Sequence, residues 1–185
     1  MNKQLGIARP ESHSQVPVSL ETQAVIFDRD GVLIENLGFV HRLEQIHWVD
    51  GALELLRMLR SRGVLSLVAT NQSGVARGYF GLDDVNLIHA RLARDAAAVG
   101  GEIAAFEVCP HLPSGIVPPY NVRCDCRKPK PGMLVKLVHR FGLDPSKVTF
   151  VGDQETDLQA ARAAGVMGAQ FKGGNLRSFC LGDVA

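Results

Sequence analysis

The chain has 185 residues, 46% of them hydrophobic, and 20 basic residues stand against 19 acidic ones for a formal net charge of +1. That length suits one domain of roughly 100–200 residues, and the hydrophobic share excludes a disordered chain. A nearly neutral chain has no global electrostatic reason to seek nucleic acid or a membrane surface, and no apolar run approaches the roughly 18 residues of a membrane span.

Residues 1–22 are polar and broken by Pro10 and Pro17, without the continuous apolar segment of an export signal. They read as a flexible N-terminal extension, leaving residues 23–185 as a single α/β domain. Ala24 to Phe27 is a short apolar run ending at Asp28, the pattern of a buried parallel strand. Ala52 to Arg62 carries Leu53, Leu56 and Leu59 at helical spacing and stops at Gly63. A second strand is predicted over Val64 to Ala69, followed by a turn through Thr70–Gly74. Leu82 to Val99 is the longest predicted helix, with Asp83 and Asp84 at its positive end. A weaker strand at Ala105 to Val108 leads into a loop rich in Pro, Cys and His. Gly132 to Phe141 is helical after Pro131. Val148 to Val151 is a fourth strand, Thr156 to Ala164 a helix, and Ala169 to Phe171 a last short strand. Alternating strands and helices imply a mostly parallel sheet covered on both faces.

Ligands of such sheets bind outside the carboxyl ends of the strands. Three strands end there in polar groups: Asp28-Arg29-Asp30-Gly31, Thr70-Asn71, and Gly152-Asp153 with Asp157 four residues on. Asp28 and Asp30 alone could be turn residues capping backbone donors, and Asp157 an early helix residue favoured by the dipole. Carboxylates gathered at one sheet edge repel, however, and a divalent cation with oxygen ligands, Mg²⁺, answers that repulsion.

The four cysteines also divide. Cys109-Pro110-His111 and Cys124-Asp125-Cys126 form a Cys₃His set in two close pairs, suited to tetrahedral structural zinc. A redox dithiol is the competing reading. Cys180 lies apart. The zinc-binding loop at 109–126 runs directly into Arg127-Lys128-Pro129-Lys130, where local anion binding explains the basic run better than a nucleic-acid patch. Reduced thiols without an export signal point to a cytoplasmic setting.

Asp28-Arg29-Asp30-Gly31-Val32-Leu33, Thr70, Lys128 and Gly152-Asp153-Gln154-Glu155-Thr156-Asp157 together resemble the four ordered motifs of the haloacid dehalogenase superfamily of phosphatases. The similarity runs from about Ala24 to Phe171. It implies a three-layer, Rossmann-like fold, and the short intervals between motifs leave no room for a large cap domain. It also implies Asp28 as the nucleophile that forms an aspartyl-phosphate, and Asp30 as general acid and then base. Asp28, the backbone carbonyl of Asp30, and Asp153 would hold Mg²⁺, with Asp157 in support. Thr70 and Lys128 would meet the phosphoryl oxygens.

Within that superfamily, the Cys-x-His and Cys-x-Cys-Arg-Lys-Pro segments with Thr70 to Tyr79 resemble the heptose-bisphosphate 7-phosphatases, and nearly as closely the histidinol-phosphate phosphatases. The resemblance implies removal of the 7-phosphate from D-glycero-D-manno-heptose 1,7-bisphosphate, in heptose nucleotide and lipopolysaccharide precursor synthesis. Asn36, Leu37, Gly38, Phe39, Asn71, Gln72, Ser73 and Gln154 would approach substrate. Arg127 would hold the non-leaving phosphate. The expected partner is a small phosphorylated sugar substrate, with no nucleic acid or membrane, and the chain is expected to be a monomer. Gln154 replaces a lysine common in the family and Phe39 a tyrosine, both departures that touch specificity. A phospho-ligand binding protein without turnover is the non-enzyme alternative.

Overall fold

The computed structural model describes residues 17–182. Five strands, β1 (Ala24–Phe27), β2 (Leu65–Asn71), β3 (Ala105–Cys109), β4 (Val148–Gly152) and β5 (Met167–Gln170), form one sheet in the order β3-β2-β1-β4-β5. Every pairing is parallel, and β1 lies at the centre, with Phe27 in register with Val68 of β2 and Val151 of β4. All four residues of β1 are buried, which is why its sequence is uniformly apolar rather than alternating.

Helices α1 (Ala52–Ser61), α2 (Leu82–Ala98), α3 (Gly132–Arg140), α4 (Glu155–Ala164) and α5 (Leu176–Leu181) cover the sheet. Val25, Phe27, Val68 and Val151 pack with Leu55, Leu56 and Leu59 of α1, Ile88 and Leu92 of α2, and Leu176 of α5. Ala24, Ile26, Leu67 and Phe150 project into the opposite layer, against Met133, Leu134 and Leu137 of α3 and Ala160 and Ala161 of α4. The period-two alternation of side chains thus feeds two cores from one sheet, giving the expected three layers. Each large apolar side chain so buried contributes roughly 1.5–3 kcal/mol.

Most boundaries moved by a residue or two, with two consequences for the sheet. β2 continues to Asn71, because Thr70 and Asn71 stay in register with Val108 and Cys109 of β3. The chain between Met167 and Gln170, rather than 169–171, forms the edge strand. Helix α5 was not predicted, since six residues are too few for a helical period to show. Its start is capped by Asn175, whose side chain accepts from Ser178 N at 3.0 Å and donates to Asp50 at 2.9 Å. Cys180, on α5, is buried in the core.

Of the extension expected over 1–22, residues 1–16 lie outside the described residues. Pro17, Val18 and Thr22 pack on the domain while Ser19 to Glu21 are exposed: the Val18 amide donates to Cys180 O at 3.1 Å, and Pro17 O accepts from Thr149 Oγ1 at 2.7 Å. Among the described residues, no helix is long and apolar enough to cross a membrane.

Candidate active site

From β1 the chain steps to β2 and β3 on one side and later to β4 and β5 on the other, so the change of direction opens a crevice beside β1. Asp28 follows β1, Thr70 and Asn71 end β2, and Asp153 follows β4; all three strand ends line one cleft of about 180 Å³. Asp30, Asn36, Gly38, Phe39, Gln72 and Gln154 complete its walls.

Lys128 reaches this point from the opposite end of the Cys/His loop. Its side chain is only 2% exposed, and its three ammonium donors end on Asp28 Oδ1 at 3.0 Å, Asp157 Oδ1 at 2.8 Å and Ala69 O at 3.0 Å. Burial opposes the charge, but Asp28 and Asp157 hold the lysine above its usual range and keep it protonated. Burial pushes the Asp28 carboxyl up to about 6, against the pull of Lys128 and with added push from Asp157 and Asp30. Asp157 also accepts from Gln154 N at 3.0 Å, so it caps α4, as an early helix residue can, while pairing with Lys128.

Asn71 does something the sequence did not reveal. Its Oδ1 accepts from Lys128 N at 3.1 Å and its Nδ2 donates to Lys128 O at 3.2 Å. The amide expected to meet substrate lines the cleft and also clamps the backbone that delivers the lysine, because β2 extends far enough to carry Asn71 alongside it.

Asp30 is held by two residues. Arg29, wholly buried, donates to both its oxygens through Nε at 3.1 Å and Nη2 at 3.0 Å, and to Val40 O at 3.1 Å. Gln72 Nε2 donates to Asp30 Oδ2 at 2.8 Å and to Thr70 Oγ1 at 2.9 Å. Arg29 was missed as a functional residue. An arginine beside a strand end reads as a surface charge, and nothing local shows that its side chain turns inward.

Two groups can hold metals. Carboxylate oxygens of Asp28, Asp153 and Asp157 lie within 4.8 Å of one another, and with one ammonium among them two negative charges remain, which fits a divalent cation. Gly31 makes the approach possible: at φ +87° it lacks a Cβ that would stand 2.5 Å from Asp153 Oδ2. In the second group, the Sγ atoms of Cys109 and Cys124 are 3.6 Å apart and those of Cys124 and Cys126 3.3 Å. His111 Nδ1 is 3.7 Å from Cys109 Sγ and 3.3 Å from Cys126 Sγ. Tetrahedral zinc needs edges of about 3.8 Å between thiolates and about 3.5 Å from thiolate to imidazole, from its usual bond lengths. The four residues fit.

A family model described as haloacid dehalogenase-like hydrolase matches residues 36–165. The chain belongs to this family. The hydrolase is 36% identical to the D-glycero-beta-D-manno-heptose-1,7-bisphosphate 7-phosphatase of Rhodopseudomonas palustris, over 84% of this chain and 87% of that protein. It is 41% identical to the enzyme of the same name from Pseudomonas aeruginosa, over 75% of each. The crystal structure of D,D-heptose 1,7-bisphosphate phosphatase from B. bronchiseptica, complexed with magnesium and phosphate, superposes with a TM-score of 0.75 at 36% identity, covering 85% of both chains.

The remaining expected residues of the hydrolase divide around the cleft. Phe39, 42% exposed, stands edge-on to Tyr79 at 5.0 Å, forming an aromatic rim that Tyr79's place in the sequence did not announce. Gln154 Nε2 donates to Asp153 Oδ2 at 2.8 Å. Leu37, half exposed, and Ser73 are not among the residues lining the cleft. Arg127 donates to His111 O at 3.3 Å and lines a second cavity of about 280 Å³ with Arg123, Lys130 and Val122. Lys130 is exposed and paired with Asp125, so Lys128 alone of the two lysines enters the carboxylate cluster. Trp48 packs against the core and donates to Asp95 at 3.2 Å.

Proposed function

We propose that this hydrolase is a Mg²⁺-dependent phosphomonoesterase that removes the 7-phosphate of D-glycero-D-manno-heptose 1,7-bisphosphate. The observation that carries the chemistry is the convergence of Asp28, Asp30, Asp153 and Thr70 on one cleft at the strand ends, with Lys128 buried against Asp28. The names of the relatives support the substrate.

An Asp28 oxygen attacks phosphorus as the bond to the sugar oxygen breaks; the leaving oxygen keeps the electron pair and takes a proton from Asp30. Water then attacks the aspartyl-phosphate, its proton passes to Asp30, and phosphate departs as the Asp28 carboxylate is restored. Lys128 holds Asp28 ionised against burial and places positive charge beside the phosphoryl oxygens. Thr70 Oγ1 accepts from Gln72, leaving its own proton free for a phosphoryl oxygen. Mg²⁺, held by Asp28, Asp153 and the Asp30 carbonyl with Asp157 in support, would supply charge neutralisation between two anions. Zinc on Cys109, His111, Cys124 and Cys126 would cross-link the loop, and Lys128 follows two residues beyond the last ligand.

Phosphate release from heptose bisphosphate, histidinol phosphate, fructose bisphosphate and a 3′-phosphorylated oligonucleotide tests the reading. Preference for the heptose bisphosphate is expected. Preference for histidinol phosphate overturns the substrate, and absence of turnover overturns the enzyme.

A further inference from the structure

The general acid of this cleft lies on a short loop, 16% exposed, and among the described residues the short intervals between motifs place no covering domain over it. A proton donor must nevertheless be held within hydrogen-bond reach of the leaving oxygen. The grip on Asp30 comes from below. Arg29 presents two parallel N–H groups to the two carboxylate oxygens, the bidentate geometry that fixes a carboxylate in its plane as well as its position. Its Nη2 is shared with Val40 O, at the end of the Asn36–Val40 loop whose Asn36, Gly38 and Phe39 line the cleft. Its backbone amide donates to Asp28 Oδ1 at 2.7 Å.

A guanidinium with no solvent exposure is a poor way to stabilise a fold, because its desolvation offsets the ion pair. Its Nε and Nη2 donors are directed to the acid and to the loop instead, while the buried Nη1 has no partner among the described residues. On α2 beside this region is His89, buried and stacked on Phe106 at 4.2 Å. Burial, and then the Arg29 charge, push that imidazole down to about 3, so it stays neutral beside the buried guanidinium.

We propose that Arg29 is the positioning residue for Asp30, aiming the acid at the leaving oxygen from beneath and tying it through Val40 to the loop that meets substrate. The assignment rests on the phosphatase reading above. It predicts a dependence on the leaving group. A sugar alkoxide needs a proton as it departs, whereas p-nitrophenolate does not, so misplacing Asp30 harms the first reaction selectively.

The test compares full-length wild type, Arg29→Met, Asp30→Asn and the double variant, with Mg²⁺, on heptose bisphosphate and on p-nitrophenyl phosphate. Arg29→Met is expected to lower kcat on the sugar phosphate roughly 10²-fold, within the usual range of general acid catalysis. KM should stay within about threefold, and the aryl phosphate should lose less than about fivefold. In the Asp30→Asn background the same change should cost less than about twofold, because the residue through which it acts is already gone. Arg29→Lys keeps the charge without the fork; it should show the same split and carries the comparison if Arg29→Met does not fold. Equal losses on both substrates, or additive losses in the cycle, overturn the assignment while leaving the phosphatase reading intact. A wild-type chain that hydrolyses neither phosphate overturns both.

Discussion

Lys128→Met removes the ammonium that separates two buried carboxylates. Asp157 is 1% exposed and Asp28 13%, and Lys128 contacts both within 3.0 Å. Taking one partner out of a buried ion cluster costs about 3–5 kcal/mol when the charges left behind cannot reach water. At the lower bound, about 3 kcal/mol, a domain of this size loses roughly 6–12 °C in Tm. Asp28 can escape by taking up a proton, which gives the effect a pH sign. Asp28 already titrates at about 6 with the lysine present, and removing the lysine raises it further. The destabilisation should therefore be full at pH 8 and much reduced by pH 5, where Asp28 can be neutral. Thermal unfolding of metal-free protein at the two pH values measures it. A loss below about 1 kcal/mol at pH 8, or one independent of pH, would refute the reasoning that Lys128 is held by desolvated charge.

Asn71→Ala frees the Lys128 backbone, so kcat should fall by up to roughly 10²-fold with KM little changed; steady-state kinetics would show instead a rise in KM alone if Asn71 mainly binds substrate. For Asp28, a folded-state value of about 6 against an ordinary 3.8 means that the folded chain binds more protons between those values. Stability from this group falls as pH rises through that window, and a cation that takes the ionised form reverses the loss. The Tm gain on adding Mg²⁺ should accordingly be larger at pH 7.5 than at pH 5, and an equal gain at both would contradict it. Chelation that strips zinc should lower Tm and expose residues 109–126 to proteolysis; unchanged protection of that loop in metal-free protein would rule out a structural metal there.

The sequence by itself determined the elements and most of the residue types of the site. Uniformly apolar runs ending in Asp28 and Asp153 are local signals of buried parallel strands, and close spacing alone paired Cys109 with His111 and Cys124 with Cys126. Short elements were less legible: α5 has too few residues for a period, and the end of β2 depends on its partner strand. Which polar groups face one another was decided by the tertiary structure. Asn71 and Lys128 are 57 residues apart and meet where the loop after β3 returns to the end of β2; Gln72 and Asp30 are 42 apart and meet because β2 lies beside β1. Arg29 shows the limit most plainly. Its position beside Asp30 was visible from the start, but the inward turn that makes it a clamp follows from the core beneath it and from Val40 O, eleven residues on. Periodicity records burial of apolar groups; the pairing of buried polar groups is set by the packing of distant segments.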